Sequence, residues 1–112
     1  MAEITVRYFG MLHELAGKRT EKVRMDDGLS LEALVERLAS KNGGKFRSFL
    51  FGPSGKLNKG IAFAADGNSI NASELRRIKC GRVKEFVILP PISGGRTFRQ
   101  ALLQKDEMTF IQ

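Results

Sequence analysis

The chain has 112 residues, 42% of them apolar and 28% charged, which fits one compact water-soluble domain. No stretch approaches the ~20 consecutive apolar residues of a membrane helix, so a membrane partner is not expected. A single cysteine, Cys80, excludes an internal disulfide and any multi-thiolate metal site, and a net charge of +7 favours acidic partners or nucleic acid. The opening MAEITVRYFG lacks a basic region followed by an apolar run. With no such secretory pattern, the cytoplasm is the expected compartment.

Glu3 to Phe9 alternates, with Ile4, Val6 and Tyr8 on one face, as a half-buried strand does. Met11 to Ala16 fits one or two helical turns closed by Gly17. Thr20 to Met25 alternates again, and Asp26-Asp27-Gly28 signals a turn. Ser30 to Asn42 is the clearest helix. Leu31, Leu34, Val35 and Leu38 form one apolar stripe, Ser30 can cap it, Glu32 suits its N-terminal dipole, and Gly43 follows its last turn. Residues 43–60 hold five glycines and a proline and read as a long loop, with Phe46, Phe49, Leu50 and Phe51 tucked against the core. Ile61 to Ala65 is a short strand, Asp66-Gly67-Asn68 a turn, and Ser69 to Asn71 a brief return. Glu85 to Leu89 is almost continuously apolar, which predicts a central strand buried on both faces. Strands around one long helix predict an α+β domain with the helix on one face of a mixed sheet. The first and last strands then lie side by side and parallel in its middle.

Few residues offer chemistry of their own. His13 stands alone and reads as a surface histidine. Cys80 lies among cations that would lower its thiol pKa, though a lone cysteine is more often inert. Asp26-Asp27 and Asp106-Glu107 read as turns or polar surface, without the spacing of an acid–base pair. No metal site is expected. Arg76, Arg77, Lys79, Arg82 and Lys84 put five cations into nine residues, a solvated face or a basic partner surface. The run carries no interleaved aromatics for base stacking, so nucleic acid is the disfavoured partner.

Three segments resemble the MoaD/ThiS family of sulfur carriers, which share the β-grasp fold of ubiquitin. They are ITVRYFGMLHELAGK at residues 4–18, SLEALVERLASK at residues 30–41, and FVILPPISGG at residues 86–95. A Gly-Gly pair alone signifies little; Gly43-Gly44 is another, inside a loop. Gly94-Gly95 gains weight from the core strand and Pro90-Pro91 before it. The resemblance implies a β-grasp domain over residues 1–95 that is itself no enzyme and binds no cofactor. Its terminal Gly95 carboxylate would be adenylated by an E1-like activating enzyme of the MoeB/ThiF type, using ATP, and converted to a thiocarboxylate. The sulfur would pass to a molybdopterin-synthase large subunit or another acceptor enzyme.

The physical demands of that role fit the arm. Gly94 and Gly95 lack a Cβ and can pass a narrow channel. Pro90 and Pro91 stiffen the exit from the sheet, and a stiff arm loses less entropy on insertion. Ile92 and Ser93 would contact the wall of the partner's channel. The sequence also departs from the family. Gly95 is bonded to Arg96, and an amide cannot be adenylated as a carboxylate can. Residues 96–112 are therefore expected to be an extension that is cut at Gly95–Arg96, for example by a JAMM-type protease, or docked on the domain. Phe98, Ala101, Leu102 and Lys105 stand at helical spacing within it. Residues 1–95 carry 16 basic against 10 acidic residues, whereas many relatives are acidic, and Cys80 to Lys84 replaces the family's Asp-Gly turn. Two further readings stand beside sulfur transfer: a protein modifier conjugated through Gly95 to target lysines, and a basic β-grasp module for nucleic acid.

Overall fold

The computed structural model describes residues 1–91. The first alternating segment forms β1 (Ala2–Tyr8), with Ile4, Val6 and Tyr8 buried and the residues between them facing outward. Helix α1 (Met11–Ala16) follows, and Gly17 ends it in the left-handed conformation, donating its N–H to the His13 carbonyl. Strand β2 (Thr20–Met25) returns antiparallel to β1, pairing Ile4 with Val23. Helix α2 (Leu31–Lys41) is capped by Ser30, whose hydroxyl accepts the Ala33 N–H at 3.3 Å. Its stripe of Leu31, Leu34, Val35 and Leu38 is buried against the sheet, and Ala39 extends it.

Within residues 43–60 the expected loop holds over 51–60 but not before it. Gly44–Leu50 forms a third helix, α3, with Phe46 and Leu50 fully buried. Its signal in the sequence is Phe46 and Leu50 four residues apart, outweighed there by flanking glycines. Gly43, at φ +91°, gives the chain its sharp turn out of α2, and no side chain caps α3. Tertiary contacts hold so short a helix instead. Phe46 meets Tyr8 edge-on with ring centroids 5.4 Å apart, and Arg47 pairs with Glu36 of α2 at 2.5 Å. The four apolar side chains do tuck inward, Phe49 and Phe51 only partly.

Strand β3 (Ala62–Ala65) and β4 (Asn68–Ile70) form a hairpin. Its turn, Asp66-Gly67, has positive φ at both positions (50° and 85°), as a two-residue hairpin turn of type I′ requires. The Asp66 carboxylate accepts the backbone N–H groups of Lys84 and Glu85, tying the hairpin to the next strand. That strand, β5 (Glu85–Leu89), completes the sheet in the order β2-β1-β5-β3-β4. It runs parallel to β1 and antiparallel to β3. The central place expected of the most apolar strand is the place it takes. Phe86 and Ile88 join the main core, where Phe86 stacks on Phe63 at 5.7 Å, while Val87 and Leu89 are buried with Ala64 on the opposite face. The architecture is the α+β mixed sheet of a ubiquitin-like β-grasp.

Candidate functional site: the exit of the central strand

β5 is hydrogen-bonded on both sides along its length, so the direction in which the chain leaves the sheet is fixed by its neighbours. Leu89 still pairs with Ala62, and the next residue, Pro90, cannot continue the ladder. Two glycines receive the double proline. Gly10, just past the end of β1, has φ +57° and ψ −132°, and a Cβ there would stand 2.9 Å from the Pro90 ring. Gly60, before β3, has φ +91°, and its Cβ would stand 3.1 Å from Pro91. Both positions thus need glycine twice over, for backbone angle and for space. By sequence, Gly10 marks only a strand end and Gly60 only part of a loop. Their sole signal is a glycine bordering each strand that flanks β5.

A polar clasp braces the same end of the domain. The Tyr8 hydroxyl donates to Glu21 on β2, Asn42 at the end of α2 donates to Tyr8 and Glu21, and Lys41 binds Glu21 at 2.8 Å. Burial alone would raise the Glu21 pKa, but the hydrogen bonds from Lys41, Tyr8 and Asn42 prevail and hold it at about 2. The Tyr8 phenol is pushed up, first by burial and then by Glu21 beside it. These groups are consumed by one another, and the clasp reads as a brace rather than as chemistry.

Of the arm, Pro90 is half-buried and Pro91 exposed. Ile92, Ser93, Gly94, Gly95 and the Gly95–Arg96 bond lie outside the described residues, as does the extension to Gln112. The cations Arg76, Arg77, Lys79, Arg82 and Lys84 are all exposed and sit in the connection that enters β5, at the end of the strand opposite the prolines. Cys80 is the inert lone cysteine that the sequence favours, although the cations beside it in sequence do not lower its pKa. Its thiol is fully buried, with Sγ 3.4 Å from the Ser30 carbonyl. Burial raises its pKa, and Arg37 only partly opposes this, so the site is an inert core thiol. His13 is half-buried, and no group of three or more His, Cys, Asp or Glu among the described residues could hold a metal ion. None of the described helices is long and apolar enough to cross a membrane.

Comparison with known proteins fits this architecture. Residues 6–95 match the ThiS family, and the matched region ends at Gly95. No curated protein matches the sequence significantly. Among solved structures, the small archaeal modifier protein 1 of Haloferax volcanii is similar at a TM-score of 0.71 and 26% identity, covering 84% of this chain and 100% of that one. The protein of the same name from Methanosarcina acetivorans gives 0.69 and 26%, over 85% of this chain and 98% of that one. A candidate molybdopterin converting factor, subunit 1, from Pyrococcus furiosus shares the fold at a TM-score of 0.57 and 19% identity, over 82% and 100% of the two chains. The sheet order, the strand feeding a double proline and the match over residues 6–95 together make this chain a member of the ThiS family of small ubiquitin-like carrier proteins.

Proposed function

We propose that the protein is a sulfur carrier that works through the carboxylate of Gly95 once residues 96–112 have been removed. One observation carries the reading: the family match stops at Gly95, six residues after a central strand whose exit is aimed by two glycines and two prolines. In the proposed cycle the Gly95 carboxylate attacks the α-phosphate of ATP on an E1-like activating enzyme. The products are an acyl adenylate and pyrophosphate. Hydrosulfide then attacks the acyl carbon, the acyl–phosphate bond breaks, AMP leaves and a thiocarboxylate remains. The carrier supplies no acid or base; it supplies an arm whose root is rigid and whose tip lacks side chains. Pro90 and Pro91 set the arm's direction, Ile92 and Ser93 contact the partner's channel, and Gly94 and Gly95 pass through it. The acceptor proposed is a molybdopterin-synthase large subunit. Release of the extension falls to a protease acting at Gly95–Arg96, of which a JAMM-type enzyme is one candidate.

The test is to incubate the full chain, and a chain ending at Gly95, with the activating enzyme of the same organism, ATP and a sulfur donor. Intact mass should show replacement of one carboxyl oxygen by sulfur in the shorter chain and none in the full chain before trimming. A shorter chain that never forms an adenylate ends the proposal.

A second reading has its own support. Two solved structures that share 26% identity with this chain are small archaeal modifier proteins. As a modifier, the Gly95 adenylate would be attacked by a target lysine amine, giving an isopeptide bond. A ladder of conjugates in cells, lost when Gly95 is deleted, would favour this reading over sulfur transfer.

A further inference from the structure

The connection from β4 to β5 has a construction that the carrier chemistry does not use. Three of its side chains are anchors: Leu75, Cys80 and Val83 are buried in the main core. The backbone around them is pinned as well. The Leu75 carbonyl accepts the Glu32 N–H, the Ile78 carbonyl accepts the Leu31 N–H, and Cys80 donates to the Leu29 carbonyl at 2.7 Å. Gly81 lies so close to Asp27 that a Cβ there would stand 2.9 Å from that side chain. Between these fixed points every basic residue is exposed, and no acidic residue falls from Arg76 to Lys84.

Four of the carboxylates around the segment are already engaged, while Glu32 lines the same surface hollow as Arg76 without an ion pair to it among the described residues. Glu74 accepts the Asn71 N–H, and Asp66 accepts the N–H groups of Lys84 and Glu85. Asp27 meets the N-terminal amine at 3.7 Å, and Glu85 pairs with Arg7 at 2.5 Å. Among the described residues, none of the five cations forms an ion pair. Five like charges on a rigid turn repel one another, a cost that folding alone gives no reason to carry. A rigid display, however, loses little entropy when a complementary surface meets it.

We propose that this turn is a docking surface for an acidic patch of Asp and Glu side chains on the activating enzyme, separate from the channel that takes the arm. The identity of that partner rests on the carrier reading above. Distance permits one protein to hold both features. From Lys84 to Pro90 the chain is a strand, about 20 Å long at ~3.3 Å per residue. A standard interface of about 800 Å² per partner is a patch about 30 Å across. Carboxylates suit the three arginines, whose guanidinium forks bind them through two hydrogen bonds. Nucleic acid suits the turn less well. Residues 75–84 contain no aromatic side chain for base stacking, and five cations fall short of the roughly 6–10 phosphate contacts of a salt-steep nucleic-acid binder. The charges act by steering: they speed encounter and fix orientation, after which the arm enters its channel.

The experiment measures association with the activating enzyme by stopped flow at low and high salt. It uses the full chain and the chain ending at Gly95, whose sheet and core lie wholly within residues 1–91. The probe variant is Arg76→Gln/Arg77→Gln/Arg82→Gln. The control, Lys22→Gln/Lys45→Gln/Lys59→Gln, removes the same charge from exposed positions elsewhere. For the Gly95 form, the association rate should fall about tenfold or more in the probe variant at low salt and stay within about threefold in the control, with the gap closing at high salt. Equal losses in both variants would reduce the effect to net charge and overturn the proposal; so would no loss in either. In both of those outcomes adenylation of the unaltered chain proceeds, and the carrier reading stands. If the unaltered chain neither binds nor is adenylated, the two readings fall together. An RNA duplex of about 20 base pairs completes the test. Loss of RNA binding in the probe variant, with enzyme association unchanged, assigns the turn to nucleic acid and overturns the proposal.

Discussion

The two ends of β5 carry opposite kinds of construction. Past its C-terminal end, two prolines rest on Gly10 and Gly60, so direction is set by backbone angles and missing side chains. Before its N-terminal end, the turn from Leu75 to Lys84 is set by buried side chains and backbone hydrogen bonds, and it holds outward five charges that form no ion pair among the described residues. One end depends on what glycine lacks, the other on what leucine, cysteine and valine fill. Substitutions should therefore damage the two ends in different ways, and that difference can be measured.

The largest expected effect lies at the basic end. Leu75→Ala removes a fully buried side chain and leaves a cavity in the main core, costing about 2–5 kcal/mol in chemical denaturation. Because Leu75 also positions the turn, this variant should lose ordered amide protection over residues 75–84 before the rest of the domain in hydrogen exchange. Uniform loss across the sheet would mean that the turn is not an independently anchored unit.

The arm's end should respond to acid instead. The Glu21 carboxyl titrates near 4.5 in the unfolded chain and at about 2 in the folded one. Its stabilising contribution is therefore complete above pH 4.5 and is lost as pH falls from there towards 2. Because Lys41 is partly in water, the contribution is about 1–3 kcal/mol rather than the full electrostatic value. Urea unfolding across that range should show a slope that Glu21→Gln flattens. An unchanged slope in the variant would show that the clasp does not brace this end.

How much of each end is legible in the sequence follows from the same contrast. Strand β5 and helix α2 are readable because burial leaves a periodic trace: continuous apolar residues for one, a stripe at 31, 34, 35 and 38 for the other. Helix α3 carries its own periodic pair, Phe46 and Leu50, yet glycines at its start and its seven-residue length mask it. The thiol pKa of Cys80 misleads for a related reason. Its sequence neighbours are cations, but a turn points successive side chains in different directions, and the thiol faces the core while they face water. Gly10 and Gly60 are invisible as a pair, because the contact that requires them is to Pro90 and Pro91, far along the chain. The Gly94-Gly95 tip lies outside the described residues and is proposed through resemblance to a family alone, since glycine leaves no pattern of burial.

Gly10→Ala tests the glycine logic with a smaller effect. The strained φ and the crowding against Pro90 should cost about 1–2 kcal/mol of stability. The same change at Gly17 is the reference: φ there is also positive, at 75°, but nothing stands within 4 Å of the added Cβ. Both variants should be less stable than the unaltered chain. Only Gly10→Ala should slow adenylation of the form ending at Gly95, because only it shifts the root of the arm. Equal slowing in both would mean that general destabilisation, not arm direction, is being read.

The smallest effect on stability is expected where the charge is greatest. Replacing Arg76, Arg77 and Arg82 with glutamine removes no buried surface and breaks no ion pair among the described residues, so unfolding free energy should move by no more than about 0.5 kcal/mol. Relief of repulsion sets the sign: any change should be a gain at low salt that fades as salt rises. Leu75→Ala and the triple variant thus bracket the same stretch of chain, one loosening its scaffold and the other removing three of its five charges. A loss of stability above about 1 kcal/mol in the triple variant would mean that the arginines hold the turn together, and the division between buried anchors and displayed cations would fail at its most exposed point.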